Sequence, residues 1–154
     1  NRFKQLISAY GKYGSSCLAS LKAKSDDDYD RYGNSGGKFV EDGIMDVNQI
    51  IEKPGKDKAL SDMMNVSGYL FTPDIFSYLD SALANLKDGD ELYYNDALKL
   101  MLEDGKKVYA VEIKNGKYYD TGNKMEYLKT VVEFALARPD INGKFREYLK
   151  SLGI

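Results

Sequence analysis

The sequence contains no histidine and a single cysteine, Cys17. The first absence excludes Ser-His-Asp and Cys-His catalytic groups and every histidine-ligated metal centre built from this chain alone. The second excludes an internal disulfide and any multi-cysteine zinc or iron–sulfur site. A chain without a disulfide framework is expected in a reducing cytoplasm. Long apolar runs are missing too: Val108 to Val111 and Phe134 to Ala137, four residues each, are the longest, against the roughly 20 that cross a bilayer. No secretory signal pattern opens the chain, so no membrane partner is expected. Neither sign of charge dominates. Lys and Arg number 22 and Asp and Glu 24, a net charge of −2, without the basic excess of a nucleic-acid binder. No two glycines are spaced Gly-x-Gly, and no Gly-Lys is followed by Ser or Thr. Both the dinucleotide fingerprint and the P-loop are therefore absent.

What remains is a chain of 154 residues and 17.3 kDa, long enough for one domain with a real core. Phe3, Leu6, Ile7 and Tyr10 are at helical spacing, with Gly11 and Gly14 to end that helix. Ser15 to Lys22 reads as a strand, with Cys17, Ala19 and Leu21 on one face. Gly36-Gly37 and Asp42-Gly43 read as turns flanking short strands, Lys38 to Glu41 and Ile44 to Val47. Gln49 to Lys53 is a further strand, halted by Pro54-Gly55, and Val66 to Phe71 another. Thr72-Pro73 opens a helix bearing Ile75, Phe76, Leu79, Leu83 and Leu86, closed by Gly89. Asn95 to Glu103 forms a second helix that stops at Gly105. Val108 to Ile113 is a strand, and Asn115-Gly116 suits a type I′ hairpin turn to a returning strand, Lys117 to Asp120. Asn123 caps a helix with the stripe Tyr127, Val131, Phe134 and Ala135. Arg138-Pro139-Asp140 breaks it, and a last helix runs to about Leu152.

Four places carry residue types suited to chemistry. Glu52-Lys53-Pro54 ends a strand, where side chains are delivered firmly and proline stiffens the exit. Glu52 can accept hydrogen bonds from two hydroxyls and Lys53 can hold phosphate oxygens, or the two form a surface ion pair. Asp120-Thr121-Gly122 joins a strand end to a helix start. Asp120 there either reaches Mg²⁺ or caps the following turn. Tyr32-Gly33 is either a ligand wall beside a permissive backbone or a plain turn. Asp26-Asp27-Asp28 lacks calcium-loop spacing and reads as a solvated helix start. Cys17 reads as a small core residue.

These signals have one order: Arg31-Tyr32-Gly33, Glu52-Lys53-Pro54, Ser67-Gly68-Tyr69, Asp96-Ala97, then Tyr119-Asp120-Thr121-Gly122. They continue through Asn123-Lys124, Tyr127-Leu128-Lys129, Ala137-Arg138-Pro139-Asp140 and Phe145-Arg146-Glu147-Tyr148-Leu149. The ordered set resembles the C-terminal half of bacterial UTP–glucose-1-phosphate uridylyltransferases (UDP-glucose pyrophosphorylases). The resemblance runs from about Leu6 to the end. It implies an α/β, Rossmann-like fold of glycosyltransferase-A type. It also implies attack of the glucose 1-phosphate oxygen on the α-phosphate of UTP, giving UDP-glucose and pyrophosphate. By the same resemblance Gly33 and Glu52 contact the sugar hydroxyls, Lys53 binds its phosphate and acts in catalysis, Val66 to Gly68 line the pocket, and Asp120 helps hold Mg²⁺; Tyr32, as the ring beside Gly33, is a further substrate-binding candidate.

The sequence departs from the family pattern twice. Glu91-Leu92-Tyr93-Tyr94-Asn95 replaces a Glu-Ile-Gln-Leu-Thr-like stretch, and Ala59-Leu60-Ser61 lacks the proline of an Ala-Pro-Ser. The glycine-rich nucleotide loop and a second acidic metal ligand, which precede these motifs in the family, are absent, and the chain begins at Asn1 rather than Met. Residues 1–154 are therefore expected to be the sugar-phosphate-binding half plus closing helices of a homo-oligomeric enzyme, inactive alone, with exposed strand edges. The alternatives are a stand-alone non-catalytic sugar-phosphate-binding or assembly module, or a thymidylyl- or guanylyltransferase on a related sugar phosphate.

Overall fold

The first helix, α1 (Arg2–Tyr13), is fixed at both ends. The Asn1 side chain accepts the Phe3 N–H, and Gly14, at φ 63°, returns its N–H to the Tyr10 carbonyl. Gly11 lies inside the helix rather than ending it. Leu6 and Ala9 turn inward, and Phe3, Ile7 and Tyr10 remain exposed. Strand β1 (Ser16–Lys22) follows, and its first five residues are all buried. The expected single apolar face is in fact two covered faces, with α1 packed against β1. The computed structural model describes residues 1–153.

A short helix α2 (Asp28–Arg31) leads into β2 (Gly33–Glu41) and β3 (Ile44–Ile51). Asp28 Oδ2 accepts the N–H groups of Lys24 and Ser25, so the acidic run holds a turn. Asp42-Gly43 makes the expected hairpin, with Gly43 at φ 78°. Gly36-Gly37 does not turn the chain. Both lie within β2, at a register shift opposite β3. A Cβ on Gly37 would come within 2.1 Å of the Asp46 carbonyl oxygen, so close backbone approach is what glycine provides here. The two short strands expected beyond Asp42-Gly43 are one, β3.

Strand β4 (Met63–Leu70), helices α3 (Ile75–Ala84) and α4 (Tyr94–Glu103), and strand β5 (Val108–Glu112) complete the first unit. The strands close a ring in the order β1-β4-β2-β3-β5. Only β1 and β5 run parallel, and the other pairings are antiparallel. Each strand thus has two neighbours, and the exposed edges anticipated above are not found among the described residues. The same closure explains the missing hairpin after β5. Both sides of β5 are taken, by β1 and β3, so a returning strand has nowhere to pair. Asn115 has φ 56°, but Gly116 is not in the left-handed region that a type I′ turn also needs.

Leu18, Met45, Val47, Ile50, Met63, Ile75, Leu98, Met101 and Val108 form the core, with α4 packed against β3 and α3 against α4. Thr72 does not cap α3. Its hydroxyl meets that of Ser16 at 2.9 Å and donates to Asp74 Oδ1 at 2.5 Å, and Asp74 is the residue before the helix. The chain forms two compact units, Asn1–Gly116 and Lys117–Ile154. In the second, α5 (Lys124–Ala137) packs on α6 (Asn142–Ser151). Asn123 caps α5 as expected, through Met125 and Glu126. No described helix is long and apolar enough to cross a membrane.

Two outcomes test this packing. Gly37→Ala is expected to destabilise by about 2 kcal/mol through the clash with backbone. Gly116→Ala, whose Cβ would meet only the Ile113 side chain at 3.4 Å, should change stability by less than about 0.5 kcal/mol. Urea midpoints check both. The Thr72 hydroxyl, and then Lys106 at 3.2 Å, hold the Asp74 carboxyl below the usual Asp value. A carboxyl with a lowered folded pKa stabilises above its unfolded pKa and loses that stabilisation as pH falls through the folded value. Asp74→Asn should therefore flatten the fall of Tm as pH drops from about 4 towards 2. Superimposable Tm–pH curves would contradict the role.

Candidate functional site

Strand β3 ends at Ile51, and the next three residues leave the ring as Glu52-Lys53-Pro54. Lys53 is held at φ 43°, and the only other described non-glycine residue at positive φ is Asn115. A side chain in this region costs about 1–2 kcal/mol, and such backbone strain concentrates at functional positions. No described acidic group pairs with the Lys53 ammonium, unlike Lys56 beside Asp26, so the expected alternative of an ion pair with Glu52 is not formed. The charge is exposed at the end of a rigid strand.

The Glu52 carboxylate turns the other way. Its Oε2 accepts from Asn95 Nδ2, in the first turn of α4, at 2.6 Å. Beneath it lies Gly33, the first residue of β2. A Cβ there would stand 3.0 Å from Glu52 Oε2, 3.5 Å from Asn95 Nδ2 and 3.7 Å from the Asn65 Cβ. Gly33 pairs with Asn65 of β4 across the sheet. Asn65 Oδ1 accepts from the hydroxyls of Ser35 at 2.8 Å and Ser20 at 3.2 Å. Residues from β1, β2, β4, α4 and the exit of β3 thus converge on one glycine. The Tyr94 hydroxyl, beside Asn95, is pushed far above the ordinary tyrosine value by burial and then by its hydrogen bond with Tyr69. Its ring meets that of Tyr69 at 4.4 Å.

The sequence candidates fall into three groups. Gly33 and Glu52 come together, and Lys53 follows Glu52 in the chain. Tyr32 adjoins them in extended conformation, with the Arg31 guanidinium 5.2 Å from its ring centre. Val66 is buried next to Asn65. Gly68 lies in the same strand, where the β1–β4 register slips between Leu18 and Ser20. A Cβ on Gly68 would reach within 2.8 Å of Arg2 Nε, and Arg2 donates to the Ser67 carbonyl. Asp120 belongs to the second unit. Its Oδ1 accepts the N–H groups of Gly122 at 3.1 Å and Asn123 at 3.3 Å, so it does cap the following turn. No described group of three or more acidic, histidine or cysteine residues could enclose a metal ion. Cys17 is buried and its thiol is pushed up to about 11 by burial, which suits a packing role.

Sequence reasoning missed Asn65 and Asn95. Asn65 is a polar interruption in the otherwise apolar Met63–Val66, which is a usable signal. Asn95 carries none by itself, because its partner Glu52 is 43 residues away.

The nucleotidyl transferase family model matches residues 1–135. The UTP–glucose-1-phosphate uridylyltransferase of Staphylococcus epidermidis is 31% identical over 151 residues, 98% of this chain and 51% of that protein. Its counterpart in Streptococcus pyogenes is 34% identical over 152 residues, 97% of this chain and 48% of that protein. Among solved structures, a UDP-glucose pyrophosphorylase complexed with UDP-glucose aligns at 28% identity with a TM-score of 0.79, over 89% of this chain and 50% of its own. A UTP-bound UGPase from Acinetobacter baumannii aligns at 25% identity with a TM-score of 0.78, over 99% of this chain and 50% of its own. The chain therefore spans about half the length of the curated relatives it matches, and it has their α/β fold. Because the family model covers most of the chain, the chain belongs to the nucleotidyl transferase family.

Proposed function

We propose that this chain is the sugar-phosphate-binding half of a UTP–glucose-1-phosphate uridylyltransferase. The observation that carries the reading is the pair at the end of β3: Lys53, strained and unpaired, next to Glu52, which is anchored over Gly33. A carboxylate accepts hydroxyl hydrogen bonds, an ammonium accepts none and attracts phosphate. Side by side they complement a sugar bearing a phosphate. In the reaction an oxygen of glucose 1-phosphate bonds to the α-phosphorus of UTP. The bond from that phosphorus to the bridging oxygen breaks, and pyrophosphate leaves. The nucleophile is already ionised, so no general base is required, consistent with a chain that has no histidine. Lys53 holds the sugar phosphate and offsets charge as the two anions approach.

Mg²⁺ is part of this reading, with Asp120 contributing one carboxylate. The described residues do not enclose an ion. Its remaining ligands would include the second acidic residue that the family carries ahead of these motifs, with phosphate oxygens and water, and no step above depends on it. A cytoplasmic location also belongs to the reading, supported by the single buried cysteine. So does a homo-oligomeric state, supported by the apolar side chains that α1 leaves exposed.

The whole protein, given Mg²⁺, UTP and glucose 1-phosphate, should release pyrophosphate. Release only with another nucleoside triphosphate or another sugar phosphate would reassign the substrates. Lys53→Ala should lower kcat/KM by about 100-fold or more, the scale of losing a charge that stabilises a transition state. A near-wild-type rate would contradict the role of Lys53.

A further inference from the structure

Two buried polar atoms near Gly33 have no partner among the described residues: Asn95 Oδ1 and Asn65 Nδ2. Asn95 is 2% exposed and Asn65 is 4% exposed. In both residues the other end of the amide is committed. Asn95 Nδ2 donates to Glu52 Oε2, and Asn65 Oδ1 accepts from Ser20 and Ser35. The orientation of the Asn95 amide follows from chemistry. A carboxylate only accepts, so the nitrogen must face Glu52 and the oxygen must face away. Asn95 lies in the first turn of α4, where Ala97 and Leu98 are buried as well. Leaving such an atom unpaired is costly. It also falls in the stretch Glu91–Asn95, where the sequence departs from the family pattern.

We propose that Asn95 is a positioning residue for Glu52 and contributes to the choice of sugar phosphate. The inference rests on the reading of Glu52 as a sugar-hydroxyl acceptor. The Asn95 amide pins Oε2, which restrains rotation of the carboxylate and leaves Oε1, with no hydrogen bond among the described residues, for the ligand. Glycine at position 33 is what lets the group assemble, since a Cβ would stand 3.0 Å from the pinned oxygen.

The test is steady-state kinetics on the whole protein, with pyrophosphate release measured for wild type, Asn95→Ala, Asn95→Asp, Glu52→Gln and the double variant of Asn95→Ala with Glu52→Gln. Asn95→Ala is expected to raise KM for glucose 1-phosphate by about tenfold, the scale of one charge-assisted hydrogen bond, while KM for UTP stays within about twofold. Asn95→Asp keeps the size but sets carboxylate against carboxylate, and should raise KM for the sugar phosphate further. It also serves should the alanine variant fail to fold. In the Glu52→Gln background, Asn95→Ala should add less than about twofold, because the two residues act as one unit. An active wild type with an unchanged Asn95→Ala KM, or with equal rises in both KM values and additive effects, would overturn this inference alone. A wild type that turns over neither glucose 1-phosphate nor a related sugar phosphate would instead contradict the proposed function.

Discussion

Closure of the strand ring through β1 is the constraint on which the rest depends. β1 pairs antiparallel with β4 and parallel with β5, and α1 packs on it. Five consecutive residues, Ser16 to Ser20, are consequently sealed from solvent. A strand covered on both faces has room for small side chains, and four of these five are Ser, Cys or Ala. Only Leu18 is large, and it belongs to the core. The two serines find buried polar partners. Ser16 bonds Thr72 at the approach to α3, and Ser20 bonds Asn65 below Gly33. The strand that closes the ring therefore also orients one wall of the candidate site.

The site inherits its geometry from that closure. β2 begins at Gly33 and β3 ends at Ile51, with Asn34 and Ile51 in register. Glu52 therefore has to leave the sheet directly above Gly33. Pro54 and Gly55 then force the chain away, and Gly55 is tied back to the Tyr29 carbonyl at 3.2 Å. Lys53 takes the left-handed conformation between these two anchors. The strain is confined to Lys53, between the end of β3 and the Gly55 anchor.

Much of this was legible in the sequence where the signal was local. The cap at Asn123, the turn at Asp42-Gly43, the break at Pro54-Gly55 and the amphipathic pattern of α4 each depend on a few neighbouring residues. The misreadings were failures of non-local information. Gly36-Gly37 carries a turn signal, but the glycines are needed because the Asp46 backbone passes close by. Asn115-Gly116 carries a hairpin signal, yet β5 is already flanked on both sides. The candidate site shows the same division. Glu52 and Lys53 could be singled out from their position before proline, and Gly33 from its glycine. Asn65 leaves a local trace as a polar break in an apolar strand, but Asn95 acquires meaning only when the strands and α4 bring it to Glu52.

The central claim is that the exit of β3 over Gly33 is a sugar-phosphate site. Titration of the isotopically labelled chain with glucose 1-phosphate, followed by amide NMR, tests it most directly. The account predicts saturable shifts at Gly33, Lys53 and Asn95 that inorganic phosphate reproduces only at Lys53. Saturable shifts confined to other elements, or none at concentrations of several millimolar (roughly the weak end of small-ligand affinity), would contradict it.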